Sequence, residues 1–290
     1  MQGTVDGFSY GLVTPVVAYL MACLGGALGL RCTTRSMLVA QSWRAGWLAL
    51  GSAAIGSGIW TMHFVAMMGF TVKETPIHYD KVITFASLGV AIVMVGIGVF
   101  IVGYRGATGV ALFTGGTITG LGIASMHYLG MAGMRLHGVL QYNTLTVAAS
   151  VVIAVVAATA ALWAAGQIRG FLWSIGASLV MGLAVSGMHY TGMAAVSVHL
   201  HGAAGSPGGD SPAALLAPML IGPLVFLALA GVIVLFDPLM VMGRPHWIPV
   251  ERKPGVPAHP ELAPTGTGRS PLSRSGPRVG HRGSRTPQDW

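Results

Sequence analysis

Charge is what this sequence lacks. Only 8% of its 290 residues are Asp, Glu, Lys or Arg, against about 25% in an ordinary soluble domain. So few charges cannot cover a water-facing surface, which excludes a soluble enzyme, a coiled coil or a disordered chain. Cysteine is equally scarce. Cys23 and Cys32 supply no disulfide framework, no CxxC pair and no zinc spacing. Leu20-Met21-Ala22-Cys23 resembles a lipoprotein cleavage box, but the segment before it holds Asp6 and no Lys or Arg. It therefore reads as a retained span, without the positive leader of a secretory signal.

What is present is apolar. Hydrophobic residues make up 53% of the chain and glycine adds 43 positions, the composition of an integral membrane protein. Seven stretches reach the ~20 residues a bilayer core requires: Tyr10–Leu30, Ala45–Phe70, Val82–Gly103, Gly109–Met134, Thr144–Ala165, Phe171–Val198 and Ala213–Phe236. The runs are continuous and lack the period-2 alternation of a membrane barrel, so the expected class is all-α and polytopic. The second, fourth and sixth runs are long enough to tilt or to project beyond the bilayer.

Basic residues between the runs give the orientation. Arg31, Arg35, Arg44, Arg105, Arg169 and the eight basic residues beyond Asp237 fall on one side. Only Lys73, Lys81 and Arg135 fall on the other. The N-terminus is expected outside and the C-terminus inside. The chain thus divides into a membrane domain over 8–236 and a tail over 237–290. The tail is rich in Pro, Gly, Ser and Arg, so disorder is expected there. It reads either as a docking segment attracted to anionic lipid or as a solvated, topology-fixing extension. Half of the basic residues lie in this tail, so the net charge of +8 does not imply nucleic-acid binding.

The even-numbered runs repeat one another. Met62-His63-Phe64-Val65-Ala66-Met67, Met126-His127-Tyr128-Leu129-Gly130-Met131 and Met188-His189-Tyr190-Thr191-Gly192-Met193 share the pattern M-H-[FY]-x-[AG]-M, at intervals of 64 and 62 residues. Each interval contains two spans, so the domain is expected to be three helical hairpins plus a seventh helix. The seven runs contain no acid or base other than His63, His127 and His189. An ionisable group in hydrocarbon is costly and marks a functional site by default.

Helix geometry turns the repeat into a constellation. His63 with Met67, His127 with Met131 and His189 with Met193 stand four residues apart and share a face. Met62, Met126 and Met188 point about 100° away from that face. Gly56 and Gly58, Gly116 and Gly120, and Gly182 and Ser186 allow the helices to approach closely. Three helices around a pseudo-threefold axis would bring three His and up to six Met to a common centre, with each His ~12–15 Å from the outer loop at ~1.5 Å per residue. Imidazole and thioether without carboxylate or thiolate suit copper, Cu(I) above all, better than Mg, Ca or Zn. His78, His137, His199 and His201 lie in the outer loops, where they could collect metal. Tyr128 and Tyr190, with Phe64 in the first copy, read as packing aromatics. A lone His beside Thr61 or Ser125 would read as an interhelical hydrogen bond. Three at one repeated position read as a ligand site.

The three motifs resemble the MHYT family of bacterial integral membrane sensor domains, whose tetrapeptide stands in full at Met188–Thr191. The other two copies depart from it at the final one or two positions. The resemblance implies seven helices in the bacterial inner membrane, motifs toward the outer face, and a copper site of Met and His that senses oxygen, carbon monoxide or nitric oxide. In that family the domain is often fused to cyclic-di-GMP enzymes, kinases or DNA-binding domains. The 54 residues after Phe236 have no apolar core and no catalytic motif. No enzymatic output is therefore expected here, and a signal would pass to a separate cytoplasmic protein. Three functions remain open: a sensor, a copper-handling protein, and a scaffold whose histidines only pack helices. The oligomeric state is not legible in the sequence.

Overall fold

Three helical hairpins, each tied at one end by a pair of short antiparallel strands, make up most of the domain. The computed structural model describes residues 3–167, 171–200 and 212–237. Among these the first hairpin is β1 (Val5–Asp6), α1 (Val13–Ser36), α2 (Gln41–Met68) and β2 (Thr71–Val72). The second is β3 (His78–Tyr79), α3 (Lys81–Arg105), α4 (Gly109–Ala132) and β4 (Met134–Arg135). The third is β5 (Gly138–Tyr142), α5 (Thr144–Gln167), α6 (Phe171–Ala194) and β6 (Val196–Leu200), and α7 (Pro212–Leu235) follows. All seven helices are long and apolar enough to cross a membrane. The basic tail beyond Asp237 and the loop holding His201 lie outside the described residues.

The repeat unit is therefore strand–helix–helix–strand: β1 pairs with β2, β3 with β4 and β5 with β6. These strands are absent from the expected all-α pattern, and they shorten two of the expected spans. Runs four and six are not longer helices, because α4 and α6 span 24 residues, as α1, α5 and α7 do. Their surplus apolar residues, Met134 in one and Val196 and Val198 in the other, belong to β4 and β6. Strands of two to five residues carry too little alternation to be told from a helix end.

The six repeat helices form a closed ring. Each packs on its sequence neighbours, α6 returns to α1, and α7 lies outside against α1 and α2. Glycine sets the spacing at equivalent places, seven residues before each motif histidine. A Cβ on Gly56 would stand 2.9 Å from Ile92 Cα of α3. One on Gly182 would stand 2.5 Å from Cys23 Sγ of α1, and one on Gly120 would collide with Val155 Cα of α5. Each even helix thus leans on the odd helix of the following repeat, and the contact that closes the ring is α6 on α1.

The remaining surface divides by helix face. On α5 the buried side chains Ser150, Ala154, Ala158 and Leu162 recur every four residues, while Leu145, Val152, Val156 and Trp163 form an exposed apolar stripe. Exposed apolar area on this scale is a lipid-facing surface. On α7 the stripe Leu216, Leu220, Leu227 and Val234 is buried, while Ile221, Val225, Leu229 and Val232 face outward. Pro218 and Pro223 stand within α7, as membrane helices tolerate where neighbouring groups satisfy the freed carbonyls.

Two of the helix starts at the strand end, those of α3 and α5, are capped by side chains. The Asp80 carboxylate accepts the Ile83 and Val82 N–H groups at 3.2 and 3.0 Å, and Asn143 Oδ1 accepts the Thr146 N–H at 3.1 Å. The Ile83 N–H is the main cause that holds Asp80 below the usual carboxylate range. At the opposite end, α1 runs six residues past its expected stop. The Thr33 and Thr34 hydroxyls bond back to the Gly29 and Leu30 carbonyls. Arg35 then pairs with Asp237 at the end of α7, the two side chains 11% and 4% exposed. Removing one partner leaves a buried charge. Asp237→Ala is therefore expected to cost about 3–5 kcal/mol, visible as a lowered thermal midpoint in detergent. Asp237→Glu, which retains the charge, is expected to recover most of it.

Candidate metal centre

Each motif histidine stands five residues before the last residue of its helix: His63 in α2, His127 in α4 and His189 in α6. At ~1.5 Å per residue this is about 7–8 Å from the helix end. The ~12–15 Å expected from the sequence is too deep, because the residues trailing the motif turn into strands. The strand pairs and the histidines consequently share one end of the bundle.

The three imidazoles meet on the ring axis. Nδ1 of His63 lies 3.0 Å from Nδ1 of His189 and 3.1 Å from Nδ1 of His127, and the third edge, His189 to His127, is 3.3 Å. All three residues are at most 1% exposed. Their rings stand nearly perpendicular in pairs, with centroids 4.8, 5.0 and 5.1 Å apart. Behind each imidazole its following aromatic packs edge-on: Phe64 at 4.6 Å, Tyr128 at 4.8 Å and Tyr190 at 4.9 Å. This agrees with a packing role for these rings, and the Tyr128 hydroxyl is engaged by Ser150 Oγ at 2.6 Å.

Hydrogen bonding alone does not satisfy such a triangle. A neutral imidazole has one N–H and one lone pair, and an Nδ1–H lies along its own ring bisector. One proton cannot lie on two edges, so in every combination of tautomers at least one pair of nitrogens faces lone pair to lone pair or N–H to N–H. A cation between three lone pairs removes the conflict. Imidazole nitrogens bound to one ion at ~2.0–2.1 Å with tetrahedral angles stand about 3.3–3.4 Å apart, within a few tenths of an ångström of the observed edges. The donor set fits a metal. Among the described residues, this triad is the group of three or more His, Cys, Asp or Glu side chains close enough to share an ion.

The opposite edges of two rings are sealed by glycine. Nε2 of His63 and Nε2 of His127 are buried without hydrogen-bond partners. A Cβ on Gly130 would lie 2.6 Å from the first, and one on Gly192 would lie 2.5 Å from the second. These are the small positions of the motif, three residues after His127 and His189. Each therefore supports the histidine of the preceding repeat. Their place in the pattern was legible, but the contact they make was not.

The candidate methionines lie on the same three helices as the triad. Met62, Met126, Met188, Met67 and Met131 are at most 1% exposed and belong to the same core cluster, and Met193 packs against it half-buried. The loop histidines stand apart. His78 on β3, His137 after β4 and His199 on β6 are exposed, and His199 pairs across the strands with Val139. Toward the other end of the bundle lies a cavity of about 40 Å³ lined by Val95, Val99, Ile123, Met181 and Val185. That wall offers an ion little besides thioether.

The family model described as "Bacterial signalling protein N terminal repeat", MHYT, matches residues 56–115 and 120–177. The chain is 37% identical over 205 residues to the bifunctional diguanylate cyclase/cyclic di-GMP phosphodiesterase MucR of Pseudomonas aeruginosa, covering 69% of this chain and 30% of that protein. It is 34% identical over 209 residues to the cyclic di-GMP phosphodiesterase NbdA of the same organism, covering 67% and 26%. It is 30% identical over 198 residues to the signaling protein YkoW of Bacillus subtilis, covering 66% and 24%. The chain thus spans less than a third of the length of each of these relatives. No solved structure matches it. Repeated motifs, seven membrane-spanning helices and a converged histidine triad lead to one assignment: the repeated domain of this chain belongs to the MHYT family of bacterial signalling proteins.

Proposed function

We propose that this domain is a membrane sensor whose His63, His127 and His189 hold a copper ion, Cu(I) in preference, and read oxygen, carbon monoxide or nitric oxide. The observation that carries this reading is the convergence of three buried Nδ1 atoms at 3.0–3.3 Å with no hydrogen-bond pattern that satisfies them. Met67, Met131, Met193, Met62, Met126 and Met188 supply soft donors nearby. The absence of a carboxylate or thiolate from the triad favours a low-charge, soft ion. When bound, copper supplies a redox-active centre with affinity for small neutral ligands. The protein holds three imidazoles in fixed orientation, buries them and keeps the site at one end of the ring.

By the distribution of basic residues, that end faces outward and the C-terminus inward. Ligation at a centre shared by α2, α4 and α6 changes the packing of all three repeats at once. A sensor needs two states that the ligand biases, and the ring couples the triad to the opposite helix ends through the odd helices. The relatives MucR and NbdA are named for cyclic-di-GMP synthesis or hydrolysis. We therefore place this domain upstream of that messenger, acting through a cytoplasmic partner and performing no catalysis itself. The copper-handling reading is weaker, because the apolar cavity beyond the triad offers no continuous path of ligands across the membrane.

The test is metal analysis of the purified protein beside a His63→Ala/His127→Ala/His189→Ala variant. About one copper per chain is expected in the parent and a near-complete loss in the variant. Equal copper in both removes the metal site. A parent that binds copper yet gives no gas-dependent change in cyclic-di-GMP in cells favours handling over sensing.

A further inference from the structure

The threefold pattern is broken at one place, and the break opens beside the triad. The Nε2 edges of His63 and His127 are closed by Gly130 and Gly192 of the following repeat. The equivalent position facing His189 is Ala66. Instead of a closed contact, Ala66 and His189 line a common cavity of about 240 Å³ with Phe8, Phe70, Tyr190 and Met193.

The outer covering departs from the pattern at the same point. Tyr79 of β3 meets Phe64 edge-on, with centroids 6.4 Å apart and rings at 75°. Tyr142 of β5 meets Tyr128 at 5.8 Å and 81°. In both repeats a single residue, Asp80 or Asn143, separates strand from helix. In the first repeat six residues, 7–12, separate β1 from α1. From this longer connection Phe8 lies flat on Tyr190, at 5.8 Å and 18°, and is 53% exposed. Two of the three approaches to the histidines carry an edge-on tyrosine. The third carries a half-exposed phenylalanine over a chamber.

We propose that the chamber beside His189 is the entrance and binding pocket through which a small uncharged molecule reaches the triad, with Phe8 as its outer wall. The chemistry selects the ligand class. Most of the wall is apolar, one phenol and one imidazole are its polar groups, and no charged side chain lines it, so ions are disfavoured and small neutral molecules are admitted. This deepens the sensing reading, and only the identity of what the ligand meets at the triad rests on that reading.

The test uses the full chain in detergent after chelator treatment, with diethylpyrocarbonate, an uncharged reagent that acylates neutral imidazole nitrogen. Peptide mass spectrometry gives the rate at each histidine. His189 is expected to react at least about tenfold faster than His63 and His127. Ala194→Phe, which places a ring in the chamber, is expected to remove that difference. Ala132→Phe, the same change at the repeat-equivalent position, is expected to leave it intact. Should Ala194→Phe fail to fold, Gly7→Trp provides a second block, since a Cβ there meets nothing within 4 Å. Equal rates at the three histidines, or a fast His189 indifferent to both blocks, overturns the entrance. The reagent reads access and not metal. A fast His189 in a chain that binds no copper therefore keeps the entrance and removes the metal reading, and a copper-binding chain with equal rates does the reverse.

Discussion

Gly58→Leu is expected to leave no folded bundle. In the first hairpin the backbones of α1 and α2 touch: a Cβ on Gly58 would lie 2.6 Å from Gly25 Cα and 3.1 Å from the Met21 carbonyl oxygen. The reciprocal Cβ on Gly25 would lie 2.7 Å from Gly58 Cα and 2.7 Å from the Ala54 oxygen. All these partners are main-chain atoms, so no rotamer change relieves the clash and the helices must separate. Overpacking a core commonly costs about 1–3 kcal/mol when side chains can yield. Here they cannot, and separating α1 from α2 also disturbs the α6–α1 contact that closes the ring. A cost above about 5 kcal/mol is expected, comparable to the whole stability of a domain. The measurement is monodisperse yield by size exclusion, with Gly89→Leu as the control. Gly89 also lies within a helix, but a Cβ there meets nothing within 4 Å, and normal yield is expected. Normal yield for Gly58→Leu would show that the hairpin is not held by this crossing.

Gly192→Ala is expected to preserve the fold and weaken metal binding by about 10–100-fold, the usual effect of disturbing a group that orients a ligand. The new methyl group meets His127 at Nε2, 2.5 Å away, with Cδ2 at 3.1 Å and Cε1 at 3.4 Å. An imidazole is rigid, so the ring must rotate or withdraw, and its Nδ1 leaves the triangle. Gly130→Ala acts in the same way on His63. Ala66→Gly is expected to change affinity much less, because Ala66 borders the chamber beside His189. Copper titration against a competing chelator measures all three. A loss for Ala66→Gly with none for Gly192→Ala would mean that these positions act through helix stability, where Gly is about 1 kcal/mol less favourable than Ala, and not through the histidines.

These expectations separate what was readable along the chain from what required the fold. The seven spans were legible because each is a long apolar run, and every helix end falls within six residues of its expected place. The triad was legible because three histidines at one repeated position stand alone among otherwise uncharged spans, so their equivalence follows from the period of the repeat. The short strands were not legible. Pairing Val5 with Val72 or His78 with Arg135 joins residues more than fifty positions apart, and two residues carry no periodic signal. Their formation moved the histidines closer to the helix ends than the apolar runs implied.

By itself the sequence determined the class, the helix count, the repeat and the residues that meet at the centre, since each depends on composition or on a period along one chain. Only the tertiary structure decided which nitrogen of each imidazole faces the axis and which glycine backs which ring. It also decided that the threefold arrangement is open at one place. Those features depend on side chains from different repeats, and a one-methyl difference, Ala66 where the other copies have Gly130 and Gly192, has no visible consequence until helices pack within van der Waals contact.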